Sequence, residues 1–128
     1  MKRINISSEA PWEDIVGYSR AVVIGDRIEV SGTTAMVNGK VAGIEDYYLQ
    51  TKIILNKISE SLNKAGSELS DVVRTRIYVC DISKWEEVGK AHGEFFKHIK
   101  PAATMVEVSG LIDKDLLVEI EVTAVKKQ

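Results

Sequence analysis

The chain has 128 residues, 45% of them hydrophobic and 28% charged, with a formal net charge of -2. This is one domain with room for a single hydrophobic core, and a charge so near balance leaves no electrostatic footprint for nucleic acid. A lone cysteine, Cys80, excludes an internal disulfide framework; the basic N-terminus lacks the apolar run of a signal peptide, no apolar stretch reaches membrane-spanning length, and the expectation is a cytoplasmic protein.

Two β-prone runs, Ala21 to Ile24 and Arg27 to Ser31, flank Gly25-Asp26, which predicts a hairpin. Thr33 to Val37 extends the second strand, and Asn38-Gly39 offers another tight turn before Lys40-Val41. From about Glu45 to Ala65 the period becomes helical: Tyr47, Thr51, Ile54, Ile58, Leu62 and Ala65 form one stripe, and Gly66 stands where a C-cap is expected. Val72 to Cys80 reads as a strand rich in β-branched residues. Ser83-Lys84-Trp85-Glu86 has capping-box spacing, predicting a second helix to about Ile99 with the stripe Trp85, Val88, His92, Phe95, Phe96 and Ile99. Pro101 forbids continuation, and Thr104 to Ser109 and Leu116 to Val125 supply the last strands. The fold class is α+β, a sheet with two helices packed on one face.

Strand alternation divides the sheet into faces. Leu116, Val118, Ile120, Val122 and Ala124 form one row, with Val106 and Val108, with Val73, Thr75, Ile77 and Val79, and with Ile28 and Val30; these belong under the helices. The other face then carries Glu29, Ser31, Arg74, Arg76, Tyr78, Met105, Glu107, Leu117, Glu119 and Glu121. It is either a solvated face with ordinary ion pairs or a polar interface or cavity between subunits, since oligomerisation is a common solution for a one-sided sheet in a small domain.

The C-terminal stretch Pro101-Ala102-Ala103-Thr104-Met105-Val106-Glu107-Val108, followed by Val118-Glu119-Ile120-Glu121, resembles the signature of the RidA/YjgF (endoribonuclease L-PSP) family. Gly17-Tyr18, Val30-Ser31-Gly32, Ala65-Gly66, Asp71-Val72-Val73, Val79-Cys80-Asp81 and Phe95-Phe96 extend the likeness from about Pro11 to Lys126. The resemblance implies a chorismate-mutase-like fold and a homotrimer with a small-molecule ligand in each intersubunit cleft. Active relatives hydrolyse enamines and imines such as 2-aminoacrylate to a 2-oxo acid and ammonia, with no metal or organic cofactor. Tyr18, Ser31, Gly32 and Glu119 match residues lining the family's pocket. Three positions depart from it: Ala103 stands for the arginine that clamps the substrate carboxylate, Met105 for a cysteine, and Gly89 for an asparagine on the second helix. Alanine cannot supply the bidentate charge of a guanidinium, so little or no 2-aminoacrylate or 2-iminobutanoate deamination is expected.

Other candidates are weighed from their residue types. Arg76 either binds an anionic ligand or neutralises Glu107, Glu119 or Glu121. Glu119 and Glu121 project from one strand face roughly 7 Å apart, and such pairs can divide into an acid and a base; Glu119 is the candidate catalytic carboxylate. His92 is either a hydrogen-bonded core or interface residue or, one turn beyond Gly89, a cleft residue. His98 lies near the helix C-terminus, where its charge suits the dipole; it shares no face with His92, which argues against a metal pair. Cys80 reads as a packed thiol, and Trp12 and Trp85 as core or interface anchors. Three functions remain: a divergent hydrolase or deaminase, a non-catalytic small-ligand-binding or regulatory protein, and a ribonuclease or translation inhibitor. The last has no basic stripe, aromatic stacking row or histidine pair to support it.

Overall fold

The computed structural model describes residues 1–127. Strands β1 (Arg3–Ile6), β2 (Ala21–Ile24), β3 (Arg27–Thr33), β6 (Val72–Val79), β7 (Ala102–Glu107) and β8 (Val118–Val125) form one sheet in the order β1-β2-β3-β8-β6-β7. Short strands β4 (Met36–Val37) and β5 (Lys40–Val41) make a separate hairpin. Its turn has Asn38 and Gly39 both at positive φ, the two-residue geometry for which that dipeptide is suited. All pairings in the large sheet are antiparallel except β6 with β7. That parallel pair is joined by helix α2 (Trp85–Phe96), while α1 (Tyr47–Lys64) packs on β3 and β8, and the helices pack on each other. Both helices therefore cover one face, as the patterning predicts.

The predicted stripe of α1 is buried from Tyr47 to Ala65. Asp46 caps the helix by accepting from Leu49 N–H at 2.9 Å, and Gly66 takes a positive φ just beyond the last turn. Fully buried Ile54, Leu55, Ile58 and Leu62 face Ile28, Val30, Ile77, Val118, Ile120 and Val122. Each such aliphatic side chain contributes about 1.5–3 kcal/mol through the apolar area it removes from water.

Several expectations need correction. The N-terminal strand β1, paired with β2, was not legible from its short exposed run. β3 stops at Thr33 instead of continuing to Val37. Helix α2 begins after a short turn, Ile82–Lys84, whose cap is Asp81 accepting from Ser83 N–H at 3.0 Å, and no Ser83 capping box forms. It ends at Phe96, short of Ile99. Trp85 and Trp12 are 55% and 58% exposed, so neither anchors the core of this chain.

Two strands differ in phase from the alternation. A register shift between Val72 and Arg74 turns Val73 outward and leaves Val72 buried. In β7 the parallel register sets Met105 beside Ile77 and Glu107 beside Val79, which places them on the helix-covered side. Met105 packs against the core, whereas Val106 lies with Tyr78 and Thr104 on the open side. The charged face thus holds Arg74, Arg76, Glu119 and Glu121, but not Met105 or Glu107.

Candidate functional site

The feature that builds the site is a bulge in β3. Val30 pairs with Val122 and Thr33 with Ile120, so three steps along β3 oppose two along β8. Ser31 and Gly32 occupy the irregularity, and Ser31 Oγ donates to Ser19 O at 2.6 Å, tying the bulge to the segment that enters β2. Glu119, opposite Tyr78 on the open face, lays its carboxylate over Gly32. A Cβ at Gly32 would sit 2.2 Å from Glu119 Oε2. The start of β8 is fixed from α1 by buried Gln50, which donates Nε2–H to Asp115 O at 2.9 Å and accepts from Leu117 N–H at 2.9 Å.

Glu119 is half-buried, and no hydrogen bond or ion pair reaches it among the described residues. Burial pushes its pKa up, the Arg20 guanidinium pulls it down, and Glu121 pushes it up again; the net is a carboxyl above its ordinary range. Such a group can be protonated and deprotonated nearer neutrality than a solvated glutamate.

Arg20, which sequence reasoning missed, stands beside it. The guanidinium donates Nη2–H to Gly32 O at 2.6 Å, and its Nε–H is buried without a partner among the described residues. Burial disfavours the charge, opposed by Tyr18, Glu13 and Glu119. Glu13 is buried and already occupied: it accepts from Ser7 Oγ at 2.9 Å, from Ser8 N–H at 3.1 Å and from Ser8 Oγ. Burial alone would raise its pKa, but those bonds and Arg20 bring it below the usual value. Lys57 of α1 adds a second cation, donating to Thr34 O at 2.7 Å and Met36 O at 2.8 Å. Burial and then Arg20 lower its pKa, against a smaller upward effect of Glu60.

Tyr18, Ser31, Gly32 and Glu119 thus share one corner of the molecule with Arg20. Gly89, His92, Ala103 and Met105 share another, on the far side of the sheet. His92 Nε2 shares a hydrogen bond of 3.0 Å with the buried Thr75 hydroxyl, and its ring stacks obliquely on Phe96 with centroids 4.7 Å apart. Burial lowers its pKa. Ala103 pairs with Thr75 on the exposed edge strand. A Cβ at Gly89 would meet only the Trp85 ring, at 3.9 Å.

Arg76 lies on the open face next to the first corner and shares a hollow with Ser31. Its Nε lies 4.0 Å from Glu121 Oε1, which also accepts from Tyr78 Oη at 2.8 Å. A hollow of about 260 Å³ opens there, lined by Glu29, Ser31, Arg76 and Glu121, and another of about 240 Å³ by Arg76, Tyr78, Thr104 and Val106. The mutual neutralisation of Arg76 and Glu121 makes these weaker candidates than the Glu119 corner. Cys80 is partly buried, its thiol directed at Leu116 O at 3.4 Å. Among the described residues there is no cluster of metal-ligating side chains and no helix long and apolar enough to cross a membrane.

Arg20 could have been found from its place in Gly17-Tyr18-Ser19-Arg20, one residue before a strand that begins inside. Its partners could not, because they depend on the bulge at Gly32.

Comparison with known proteins agrees with this architecture. The crystal structure of Rv2704 from Mycobacterium tuberculosis, a YjgF-family member, superposes with a TM-score of 0.88 at 48% identity, covering 97% of this chain and 99% of that one. An uncharacterized protein of Streptomyces coelicolor is 38% identical over 93% of this chain and 89% of its own length. The human 2-iminobutanoate/2-iminopropanoate deaminase is 29% identical over 98% of this chain and 91% of its own. A family model described as Endoribonuclease L-PSP matches residues 8–126. With that match spanning nearly every element of the fold, the chain belongs to the endoribonuclease L-PSP family, the RidA/YjgF group that its motifs resemble.

Proposed function

We propose that the protein is a hydrolase of small, amino-acid-derived molecules, acting as a homotrimer in which the Glu119 corner of one subunit faces the β7–α2 corner of the next. The observation that carries this reading is the half-buried Glu119 carboxylate, held over Gly32 without a hydrogen-bond partner among the described residues and with its pKa raised. Glu119 and Ala103 project from opposite faces of one sheet. Two such groups can meet only across a boundary between copies, and the exposed Trp12, Ile15, Val16 and Trp85 are apolar surface of the kind that a neighbour covers.

The chemistry that fits is imine hydrolysis, the reaction class carried by the name of the human relative. Water adds to the C=N carbon while Glu119 accepts its proton. That proton passes to nitrogen to give a carbinolamine; the remaining hydroxyl proton then moves through Glu119 to the same nitrogen as the C–N bond breaks, and ammonia leaves behind a carbonyl. No metal or organic cofactor is required by this sequence of steps. Ala103 leaves β7 without a carboxylate clamp, so 2-aminoacrylate and 2-iminobutanoate are expected to be poor substrates unless another cation of the cleft holds their carboxylate. The same alanine favours the second reading, a non-catalytic ligand-binding protein with this cleft.

Sedimentation should give three times the 14.2 kDa chain mass. A coupled assay of ammonia release from a panel of 2-imino acids, with Glu119→Gln as control, tests the chemistry. A lone chain in solution would end the trimer proposal. Ligand-dependent melting with no Glu119-dependent turnover would replace the hydrolase with the binding protein.

A further inference from the structure

We propose that Arg20 binds the anionic group of the ligand, so that this chain holds a carboxylate from the corner where β2 begins and β3 bulges. The inference rests on the Glu119 corner being the ligand site. It assigns the ligand class, a small carboxylate, and the residue that selects it.

Arg20 carries a full charge that the protein leaves under-used. Its side chain makes one hydrogen bond among the described residues, the Nη2 contact of 2.6 Å to Gly32 O, and its Nε–H is buried with no acceptor. Both facts are unusual for a half-buried guanidinium, which normally meets a carboxylate through its fork. The nearby acids do not supply one. Glu13 is saturated by Ser7 and Ser8, and Glu119 lies within electrostatic range but forms no ion pair with Arg20. Lys57 is spent on two backbone carbonyls and adds further positive potential. The Nη1 amino group has no hydrogen-bond partner among the described residues, and a small carboxylate entering between Arg20 and Glu119 would meet the guanidinium there, the enclosed Nε–H staying out of its reach. Its reacting carbon would then lie beside the Glu119 carboxyl. Anchoring through Gly32 O also fixes the guanidinium relative to the bulge on which Glu119 rests, so the clamp and the proton carrier share one backbone feature.

The test is calorimetric titration of the purified full-length protein with 2-oxobutanoate and with uncharged 2-butanone, which lacks the carboxylate. Wild type should bind 2-oxobutanoate about tenfold or more tightly than 2-butanone, Arg20→Gln should lose about tenfold, and Arg20→Lys should fall between, because it keeps the charge without the fork. Melting temperature and oligomer size establish that each variant is folded; if Arg20→Gln does not fold, Arg20→Lys decides. No preference of the wild type for the carboxylate, or equal affinity in folded wild type and variants, overturns the proposal. Glu119→Gln separates this inference from the hydrolase reading. Arg20-dependent binding that persists while no turnover depends on Glu119 leaves the clamp standing and removes the enzyme.

Discussion

The Glu119 carboxylate rests on Gly32 so closely that no Cβ can come between them: the methyl of an alanine would approach Oε2 to 2.2 Å. The atom displaced is the far end of a flexible side chain. Gly32→Ala should therefore cost little stability, about 1 kcal/mol or less, while pushing Glu119 off the bulge. Turnover should fall by about tenfold or more, with secondary structure unchanged by circular dichroism. An alanine variant with undiminished turnover would mean that this contact has no part in catalysis.

Glu119→Gln should slow hydrolysis by about 100-fold or more if the carboxyl moves the proton. Its effect on stability has a definite sign. The native carboxyl has its pKa raised from 4.5, so the native state binds more protons than the unfolded chain across that window. Stability contributed by this group is present below the unfolded value and is lost as pH rises through the native one. Glutamine removes the loss. The variant should melt higher than wild type at pH 7, the gap closing on acidification below about 4.5.

His92 acts in the opposite direction. Its native pKa is lowered from 6.5, so on acidification the unfolded chain takes up the proton first and stability falls below that value. His92→Gln keeps an amide able to reach Thr75. It should lose about 1 kcal/mol at pH 7 with the ring packing on Phe96, yet melt with less pH dependence between about pH 7 and pH 5.5. Thermal melts of both proteins across that range measure the difference.

A shared cleft predicts rescue between subunits. A Cβ at Gly89 has only the Trp85 ring within 4 Å, so Gly89→Trp should block the β7–α2 corner without unfolding the chain. Gly89→Trp and Glu119→Gln homotrimers should each be nearly inactive. Mixed trimers refolded from equal parts should regain about a quarter of wild-type activity, because that fraction of clefts takes both intact halves. Absence of recovery would place the whole site within one chain.

The elements built on an uninterrupted period were legible in the sequence. The Tyr47-to-Ala65 stripe and the Leu116-to-Ala124 alternation are buried as read, because nothing disturbs their phase. Phase failed where irregular pairing intervened. The bulge at Val73 and the register of Met105 with Ile77 depend on partner strands, which periodicity within one strand cannot reveal. In β7, alternating Ala, Thr, Met and Val gives little contrast between faces. The same limit applies to the candidate site. Motif resemblance singled out Glu119, Ser31 and Gly32, but the relation of Arg20 to them runs through a bulge and a backbone carbonyl. Residue type alone marks Trp12 and Trp85 as core or interface anchors; the single chain leaves both open, which removes the core alternative.

The seam between Glu13 and the two serines ahead of it has a practical bearing on protein engineering. Trimming the first eight residues would take an outer strand from the sheet, and with it Ile6 at the margin of the core, while sparing the buried α1 residues themselves. It would also strip the buried Glu13 carboxylate of its Ser7 and Ser8 donors, freeing it to turn on Arg20 as a rival for whatever anion belongs there. A shortened version could then melt as a well-folded protein and still bind nothing.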